Sequence, residues 1–273
     1  MNQQVIGTAD SWVRQRDSEN RHQFSRASPG ARMTEASGAW VSLFSGGKDS
    51  SYALYLALER GIDVDRLLTI HPEGDSYMYH VPATELATLA ADSIGIRSLD
   101  VHPDSFETEE ATDSGTQGDR EVEPLETALR SLAADTAGGI AGLVVGAVES
   151  EYQRERVERL CTEFDCELFA PLWQADPRAL ATDMLAADFE IVIVQVAAHG
   201  LDESWLGRPL DHAAIDELET LADSHGVHLL GEGGEFETMV LDAPHMDRRL
   251  DIEYETTWDG TRGSITVTDA SLE

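Results

Sequence analysis

Apolar runs and amphipathic stretches alternate along the first part of the chain. Short apolar runs predict strands at residues 39–44, 64–70, 96–101 and 140–148. Stretches with helical spacing of apolar positions predict helices at residues 51–60, 83–93, 124–137 and 150–164. Such alternation is typical of an α/β fold with a doubly wound parallel sheet, in which ligands bind beyond the carboxyl ends of the strands.

The pattern changes after residue 170. The predicted elements are helices at 177–187 and 213–224 and strands at 190–197, 238–241, 250–254 and 264–268. This order no longer alternates regularly and predicts an α+β arrangement. We therefore expect a nucleotide-binding type of α/β domain over residues 39–170 and a smaller α+β substrate domain over residues 171–273, with Pro171-Leu172-Trp173 at the boundary.

Two segments show neither the apolar spacing of a helix nor that of a strand. Residues 1–38 are rich in Gln, Ser, Asn and Arg and are predicted to be disordered, or to be a mis-assigned extension with translation beginning at Met33. A basic arm that binds a partner is the alternative, because residues 1–32 hold five arginines and three acidic residues. Residues 104–121 are acidic and rich in Ser, Thr and Gly, and they are predicted to form a loop.

Charge changes the expected partners. The 273 residues are 41% hydrophobic, enough for a substantial core, yet the net charge is −33. An acidic surface of this kind repels nucleic acid and anionic membranes. We therefore expect neither as a partner. It favours a halophilic archaeal origin, where concentrated salt screens the repulsion, with an acidic protein from an ordinary cell as the alternative.

The cysteines and the absence of a long apolar run also limit the function. Cys161 and Cys166 are the two cysteines, and their spacing fits neither a disulfide framework nor a CxxC zinc pair. No run approaches a membrane span, and no charged-then-apolar leader opens the sequence. We expect a cytoplasmic protein, of an oligomeric state that the sequence does not define.

The stretch Ser45-Gly46-Gly47-Lys48-Asp49-Ser50 joins the first predicted strand to the first predicted helix. Backbone N–H groups at a helix start lack partners and suit phosphate, and two glycines let the backbone close around an anion. Asp49 follows the lysine where a Walker loop has Ser or Thr, so the pattern is not that loop. A tight turn with an Asp or Ser cap is the alternative, but Lys48 is the only lysine in the chain.

This stretch resembles the pyrophosphate loop (PP-loop) of ATP pyrophosphatases, enzymes that adenylate a carbonyl oxygen and release pyrophosphate. The resemblance implies ATP as a cofactor, bound by the loop residues Ser45, Gly46, Gly47, Lys48, Asp49 and Ser50. It implies that Asp49 binds Mg²⁺, a hard cation that takes one or two carboxylates. Lys48 would neutralise charge on the departing group.

Five further stretches narrow the family. They are residues 76–80 (SYMYH), 146–156 (GAVESEYQRER), 171–173 (PLW), 205–208 (WLGR) and 231–238 (GEGGEFET). Together with the loop they resemble, from about Trp40 to the C-terminus, the archaeal and eukaryotic diphthine ammonia ligases. That resemblance implies ATP-dependent amidation of diphthine on translation elongation factor 2, with ammonium as the nitrogen source.

Within residues 231–238, the resemblance implies that Glu232, Glu235 and Glu237 attract ammonium and accept its protons, or that one of them binds Mg²⁺. It also implies that Gly233, Gly234 and Thr238 contact substrate. A glycine-rich β-turn with solvated glutamates is the alternative. If the reaction is correct, this segment should face the PP-loop across one cleft.

Other candidates are assigned with alternatives. Tyr152, Gln153 and Arg156 follow a strand end and would bind nucleotide, or they belong to a surface helix of ion pairs. Trp205 and Arg208 would shape the substrate pocket, or they are core.

Tyr79, with Tyr77 and His80, follows the second predicted strand, where adenine and ribose lie in related enzymes. A packing role is the alternative. His225 and His228 are left unassigned, since neither has spacing typical of a metal site.

Two other functions compete with amidation. A tRNA thiolase shares the loop and the adenylation step, but it needs reactive or zinc-bound cysteines and a basic face for tRNA. The other alternative is an ATP-binding protein without catalysis, which the intact loop and the glutamate motif disfavour.

Overall fold

The structure is a computed structural model that describes residues 38–71, 86–102 and 114–273. The side chains of residues 114–122 and of Tyr152 are not described. The predictions for residues 1–37, and those for Tyr77, Tyr79 and His80, lie outside the described residues, as does part of the predicted loop at 104–121.

A parallel sheet forms the first half of the fold. Its five strands lie in the order β3-β2-β1-β4-β5, and every neighbouring pair is parallel. The strands are β1 (Ala39–Leu43), β2 (Val64–Ile70), β3 (Ser98–Val101), β4 (Ile140–Val144) and β5 (Glu167–Phe169). The helices of this half are α1 (Lys48–Glu59), α2 (Ala87–Ile94), α3 (Ser114–Asp135) and α4 (Glu151–Phe164). The doubly wound α/β arrangement is thus confirmed.

Strand β5 and the start of helix α3 differ from the prediction. The three residues of β5 were not predicted, because so short a run has no readable period. The loop predicted at 104–121 is wrong from Ser114 onward, where α3 begins. Leu125 and Leu129 are fully buried one turn apart and hold this helix to the sheet. Extending an existing helix costs less than starting one, so the preceding turns need no apolar face of their own.

An antiparallel sheet forms the second half. Its strands lie in the order β7-β6-β9-β8, and all pairs are antiparallel. They are β6 (Glu190–Val196), β7 (Phe236–Asp242), β8 (Leu250–Trp258) and β9 (Gly263–Leu272). Helices α5 (Pro177–Ala186) and α6 (His212–His225) and a 3₁₀ turn at Glu203–Trp205 accompany it. The second half is therefore α+β, as predicted.

Helix α1 lies between the two sheets. Its Tyr52 and Tyr55 rings pack edge-on against Phe189, which precedes β6. The other face of the parallel sheet packs against α3 and α4; neighbouring residues Leu67 and Leu68 point into opposite cores, as alternate strand side chains do. Because α1 begins at the PP-loop, this packing brings the loop to the junction of both halves.

Candidate active site

The PP-loop spans the turn between β1 and α1. Gly46 has a φ of +80°, which favours glycine, and Gly47 is the N-cap of α1. The N–H of Ser45 donates to Ser50 Oγ at 3.2 Å, and the N–H of Gly47 donates to Ser45 Oγ at 3.4 Å. These distances are at or beyond the long end for N–H···O bonds, so the loop N–H groups are only weakly held.

Gly146, which follows β4, packs against the start of α1. A Cβ atom there would lie 2.6 Å from the backbone carbon of Asp49 and 2.7 Å from Ser50 N. Only glycine permits this approach of β4 to the loop. Gly146 belongs to the motif at residues 146–156, but no role was predicted for it; the available signal was a glycine directly after an apolar strand.

Strand β7 lies directly against the PP-loop. The N–H of Lys48 donates to Thr238 Oγ1 at 3.2 Å, and the N–H of Val240 donates to Gly46 O at 3.0 Å. The expected meeting of residues 231–238 with the PP-loop is therefore confirmed.

Lys48 connects the two halves through its side chain. It is 3% exposed, and its Nζ donates to Leu230 O at 2.5 Å and to Asp49 Oδ2 at 2.7 Å. The ammonium group also lies 5.7 Å from the centroid of the Phe236 ring. Two of its three N–H donors are thus used within the protein, which fixes the positive charge at the base of the cleft.

Asp49 offers one carboxylate oxygen to a ligand. Its Oδ2 accepts from Lys48, while Oδ1 is buried and has no hydrogen-bond partner among the described residues. A buried carboxylate oxygen without a partner is costly unless a proton or cation reaches it. The predicted Mg²⁺ ligand therefore fits a hard divalent cation in this position.

Residues 228–235, called here the glutamate turn, satisfy their own backbone. The N–H groups of Leu230 and Glu232 donate to His228 Nδ1 at 3.1 and 3.4 Å. The N–H of Gly231 donates to His228 O, and the N–H of Gly234 donates to Gly231 O, both at 3.0 Å. The turn is consequently held from within.

Both carboxylate oxygens of Glu235 also accept hydrogen bonds from backbone N–H groups of the glutamate turn. Its Oε2 accepts from Gly233 N at 2.7 Å and its Oε1 from His228 N at 3.3 Å. The carboxylate predicted to handle ammonium is therefore engaged with its own turn. No role was predicted for His228; its position two residues before Leu230 and four before Glu232 was the available signal.

Glu232 points from the turn into the cleft. Burial and, secondly, the negative charge of Asp49 raise the pKa of its carboxyl above the usual range of glutamate. Its Oε2 accepts from Glu149 N at 3.2 Å, on the segment between β4 and α4. A carboxyl with a raised pKa in a cleft is a candidate proton acceptor.

The cleft between the halves brings together nine of the predicted residues. Among those lining it are Ser45, Gly47, Lys48, Asp49, Ser50, Gln153, Glu232, Glu237 and Thr238. Apolar side chains from both halves, such as Leu68, Val145 and Phe236, complete the lining. The described lining does not include Gly46, Gly233, Gly234, Glu235, Arg156, Trp205 or Arg208.

Trp205 and Arg208 lie away from the cleft. Trp205 is buried in the core, and the Arg208 guanidinium lies 4.3 Å from its ring centroid. Both terminal nitrogens of Arg208 donate to the Glu217 carboxylate of α6, at 2.7 and 2.8 Å. This placement matches the core alternative, and a role in substrate binding stays a prediction.

Helix α4 places one of its predicted residues, Gln153, at the cleft. The N–H of Gln153 donates to Ser150 Oγ at 3.3 Å, which caps the helix, and Gln153 lines the cleft. Arg156 is half-buried one turn further on. The start of α4 thus contributes to the cleft lining at the carboxyl end of the parallel strand β4.

Among the described residues, no helix is long and apolar enough to cross a membrane. Nor does this part of the chain contain a group of three or more His, Cys, Asp and Glu side chains that could hold a metal ion.

Comparison with known proteins identifies the family. The diphthamide synthase N-terminal domain model matches residues 38–167, and the diphthamide synthase C-terminal domain model matches residues 176–272. The diphthine–ammonia ligase of Danio rerio is 33% identical over 229 residues, which cover 80% of this chain and 87% of that protein. The human diphthine–ammonia ligase is 32% identical over 224 residues, covering 78% and 82%.

A solved structure described as a predicted subunit of tRNA methyltransferase from Methanocaldococcus jannaschii aligns with a TM-score of 0.40 and 19% identity. It covers 75% of this chain and 97% of that one, but the score is too low to support a conclusion. The two domain models and the identity to the ligases are sufficient: the chain belongs to the diphthamide synthase family.

Proposed function

We propose that this protein is an ATP-dependent diphthine–ammonia ligase, which joins ammonia to the carboxylate of diphthine and gives diphthamide. The curated relatives carry the name of this activity, and domain models of the family match both halves of the chain. One structural observation carries the proposal: the PP-loop and the glutamate turn open into the same cleft. An anion-binding backbone and a proton-accepting carboxyl then lie on either side of one reacting group.

The first step is activation of the carboxylate. A diphthine carboxylate oxygen attacks the α-phosphorus of ATP, the bond to the β-phosphate oxygen breaks, and pyrophosphate leaves. The loop N–H groups of Gly46, Gly47 and Lys48 would hold the phosphates, with the hydroxyls of Ser45 and Ser50. Phosphate oxygens would replace the long contacts of 3.4 and 3.2 Å that the N–H groups of Gly47 and Lys48 make with hydroxyls.

Mg²⁺ belongs to this proposal through Asp49. The unpartnered Oδ1 is the oxygen that would bind it. When bound, Mg²⁺ neutralises phosphate charge as pyrophosphate forms. Lys48 stays tethered to Asp49 and Leu230, so its charge remains fixed beside the same carboxylate.

The second step forms the amide. Ammonia attacks the acyl carbon, the bond to the AMP oxygen breaks, and one proton leaves the nitrogen. Glu232 is the carboxyl best placed to accept that proton, since it lines the cleft and burial keeps its pKa raised. Glu237 also lines the cleft, whereas both Glu235 oxygens are engaged in the turn.

We also propose the setting of the reaction. The partner would be translation elongation factor 2 bearing diphthine, met in a cytoplasm of high salt, as the net charge of −33 suggests. Docking would then depend on short-range contacts, since salt screens long-range steering.

A thiolase reaction is not favoured. Burial raises the pKa of the Cys161 thiol well above its usual range, which leaves little thiolate. Neither Cys161 nor Cys166 belongs to the described lining of the cleft.

A pyrophosphate-release assay tests the proposed function. The purified chain is given ATP, Mg²⁺, ammonium and elongation factor 2 bearing diphthine, and the factor is examined by mass spectrometry for the amide. We expect pyrophosphate and amide in equal amounts. Pyrophosphate without amide would indicate another adenylating enzyme, and neither product with tight ATP binding would indicate a non-catalytic protein.

A further inference from the structure

The structure assigns His228 as a positioning residue, which holds the backbone of the glutamate turn so that the Glu232 carboxyl faces the cleft. This assignment rests on the proposed function, because it gives Glu232 its task. His228 itself is not among the residues that line the cleft, so it acts through Glu232.

Three consecutive N–H groups converge on this one residue. Those of Leu230 and Glu232 donate to the ring nitrogen Nδ1 at 3.1 and 3.4 Å, and that of Gly231, between them, donates to the His228 carbonyl at 3.0 Å. A segment held at three successive peptide groups has little freedom left. Its glycines supply the bend, since Gly231 has a φ of +73°.

The ring contacts define the tautomer. A nitrogen that accepts two N–H bonds carries no proton, so the ring proton lies on Nε2. Nε2 faces Glu149 Oε2 at 3.6 Å. A carboxylate beside the other ring nitrogen favours this tautomer and keeps Nδ1 available to the turn.

Glu149, from the other half of the protein, contacts both His228 and Glu232. While its side chain faces the His228 ring, its backbone N–H donates to Glu232 Oε2 at 3.2 Å. Glu149 lies between β4 and α4, two residues after Ala147 of the cleft lining. His228 and Glu149 together therefore fix both ends of Glu232, its backbone and its carboxyl.

Three substitutions of His228 separate the effect of its hydrogen-bond acceptor from the effect of its side-chain volume. His228→Asn keeps an acceptor two bonds from Cβ, where Nδ1 lies. His228→Gln moves the acceptor one bond further out, and His228→Ala removes it. His225→Ala, at the exposed end of α6 and outside the cleft lining, is the matched histidine control.

Two rates and one exchange measurement are needed on the full chain. Pyrophosphate release in a single turnover without ammonium reports activation, and amide formation with ammonium reports the second step. Amide hydrogen exchange at residues 230 and 232 reports the turn without any activity.

We expect His228→Ala and His228→Gln to lower the amide rate by about a hundredfold, the cost of a reacting group displaced by about 1 Å. Pyrophosphate release should stay within about twofold, and exchange at 230 and 232 should become faster. His228→Asn should stay within about threefold of the wild type in the amide rate, and should keep the exchange slow.

The assignment is overturned if His228→Ala keeps the wild-type amide rate, if all three variants lose both rates equally, or if Asn rescues no better than Gln. Should His228→Ala not fold, the Asn and Gln pair decides. If the wild-type chain forms no amide product, the proposed function is contradicted and not the role of His228. The role of His228 is then judged by backbone hydrogen exchange alone, and slow exchange at residues 230 and 232 in all variants would overturn it.

Discussion

The PP-loop and the glutamate turn are both rich in glycine, but they use their backbones in opposite ways. In the PP-loop, the N–H groups of Ser45, Gly47 and Lys48 donate to hydroxyl oxygens, at 3.2 to 3.4 Å. In the glutamate turn, the N–H groups of residues 228 and 230–234 bond to the turn itself. The first backbone is therefore available as a ligand, while the second is a support for a carboxyl. Glycine content alone does not distinguish these two functions.

The largest effect should follow a change in the PP-loop. Asp49→Ala removes the oxygen proposed to bind Mg²⁺ and the partner of Lys48 Nζ, so pyrophosphate release should fall roughly a thousandfold. The melting temperature should fall as well, because the variant leaves the buried Lys48 ammonium without its ion pair. Asp63→Ala, an exposed position after α1, is the control. Full turnover by Asp49→Ala would contradict the role of this carboxylate.

In the glutamate turn, Glu232→Gln should keep pyrophosphate release and slow amide formation by about a hundredfold, because an amide side chain accepts no proton. Single-turnover assays with and without ammonium measure the two steps. Equal loss of both steps would mean that Glu232 serves ATP or metal binding.

The same substitution has a stability effect that depends on pH. The pKa of Glu232 is raised in the fold by burial and by Asp49, so the protonated carboxyl stabilises the folded state at acid pH. That contribution is lost as pH rises through the raised pKa. Glu232→Gln should therefore match the wild type at about pH 4 and become the more stable protein toward about pH 7. A difference in unfolding free energy that does not vary with pH would disprove this.

Glu235→Gln sharpens the contrast between neighbouring glutamates. Its amide has one oxygen, so either Gly233 N or His228 N loses its acceptor, and stability should fall by about 1–2 kcal/mol. Amide formation should slow roughly tenfold through misplacement of Glu232, with pyrophosphate release unchanged. Urea unfolding at neutral pH gives the test, because Glu232→Gln and Glu235→Gln should shift stability in opposite directions.

The smallest effect concerns the weakly held N–H of Lys48. Thr238→Val preserves shape but removes the hydroxyl that accepts this N–H, which should cost about 1 kcal/mol of stability. ATP affinity, measured by calorimetry, should change less than about fivefold if phosphate takes over the N–H. Thr238→Ser is the control that keeps the hydroxyl. Loss of ATP binding in Thr238→Val alone would mean that the hydroxyl itself is a ligand.

Features that depend on residues close together in the sequence could be predicted from it. The PP-loop, the alternating strands and helices, and the stop of α2 at Gly95 with a φ of +78° can all be read from short stretches. The difference between Glu232 and Glu235 could not be read, because it depends on which carboxyl turns back to Gly233. The pairing of Arg208 with Glu217 could not be read either, because it depends on how α6 packs near Arg208 in the fold.

The chain has a single lysine, Lys48, and the fold buries it where the halves meet. A reagent that reacts with side-chain amines therefore probes this one position. An acylating reagent can label Lys48 only when the halves separate enough to free Nζ from Leu230 and Asp49. The labelling rate would thus report how often this cleft opens, and how far bound ATP suppresses the opening.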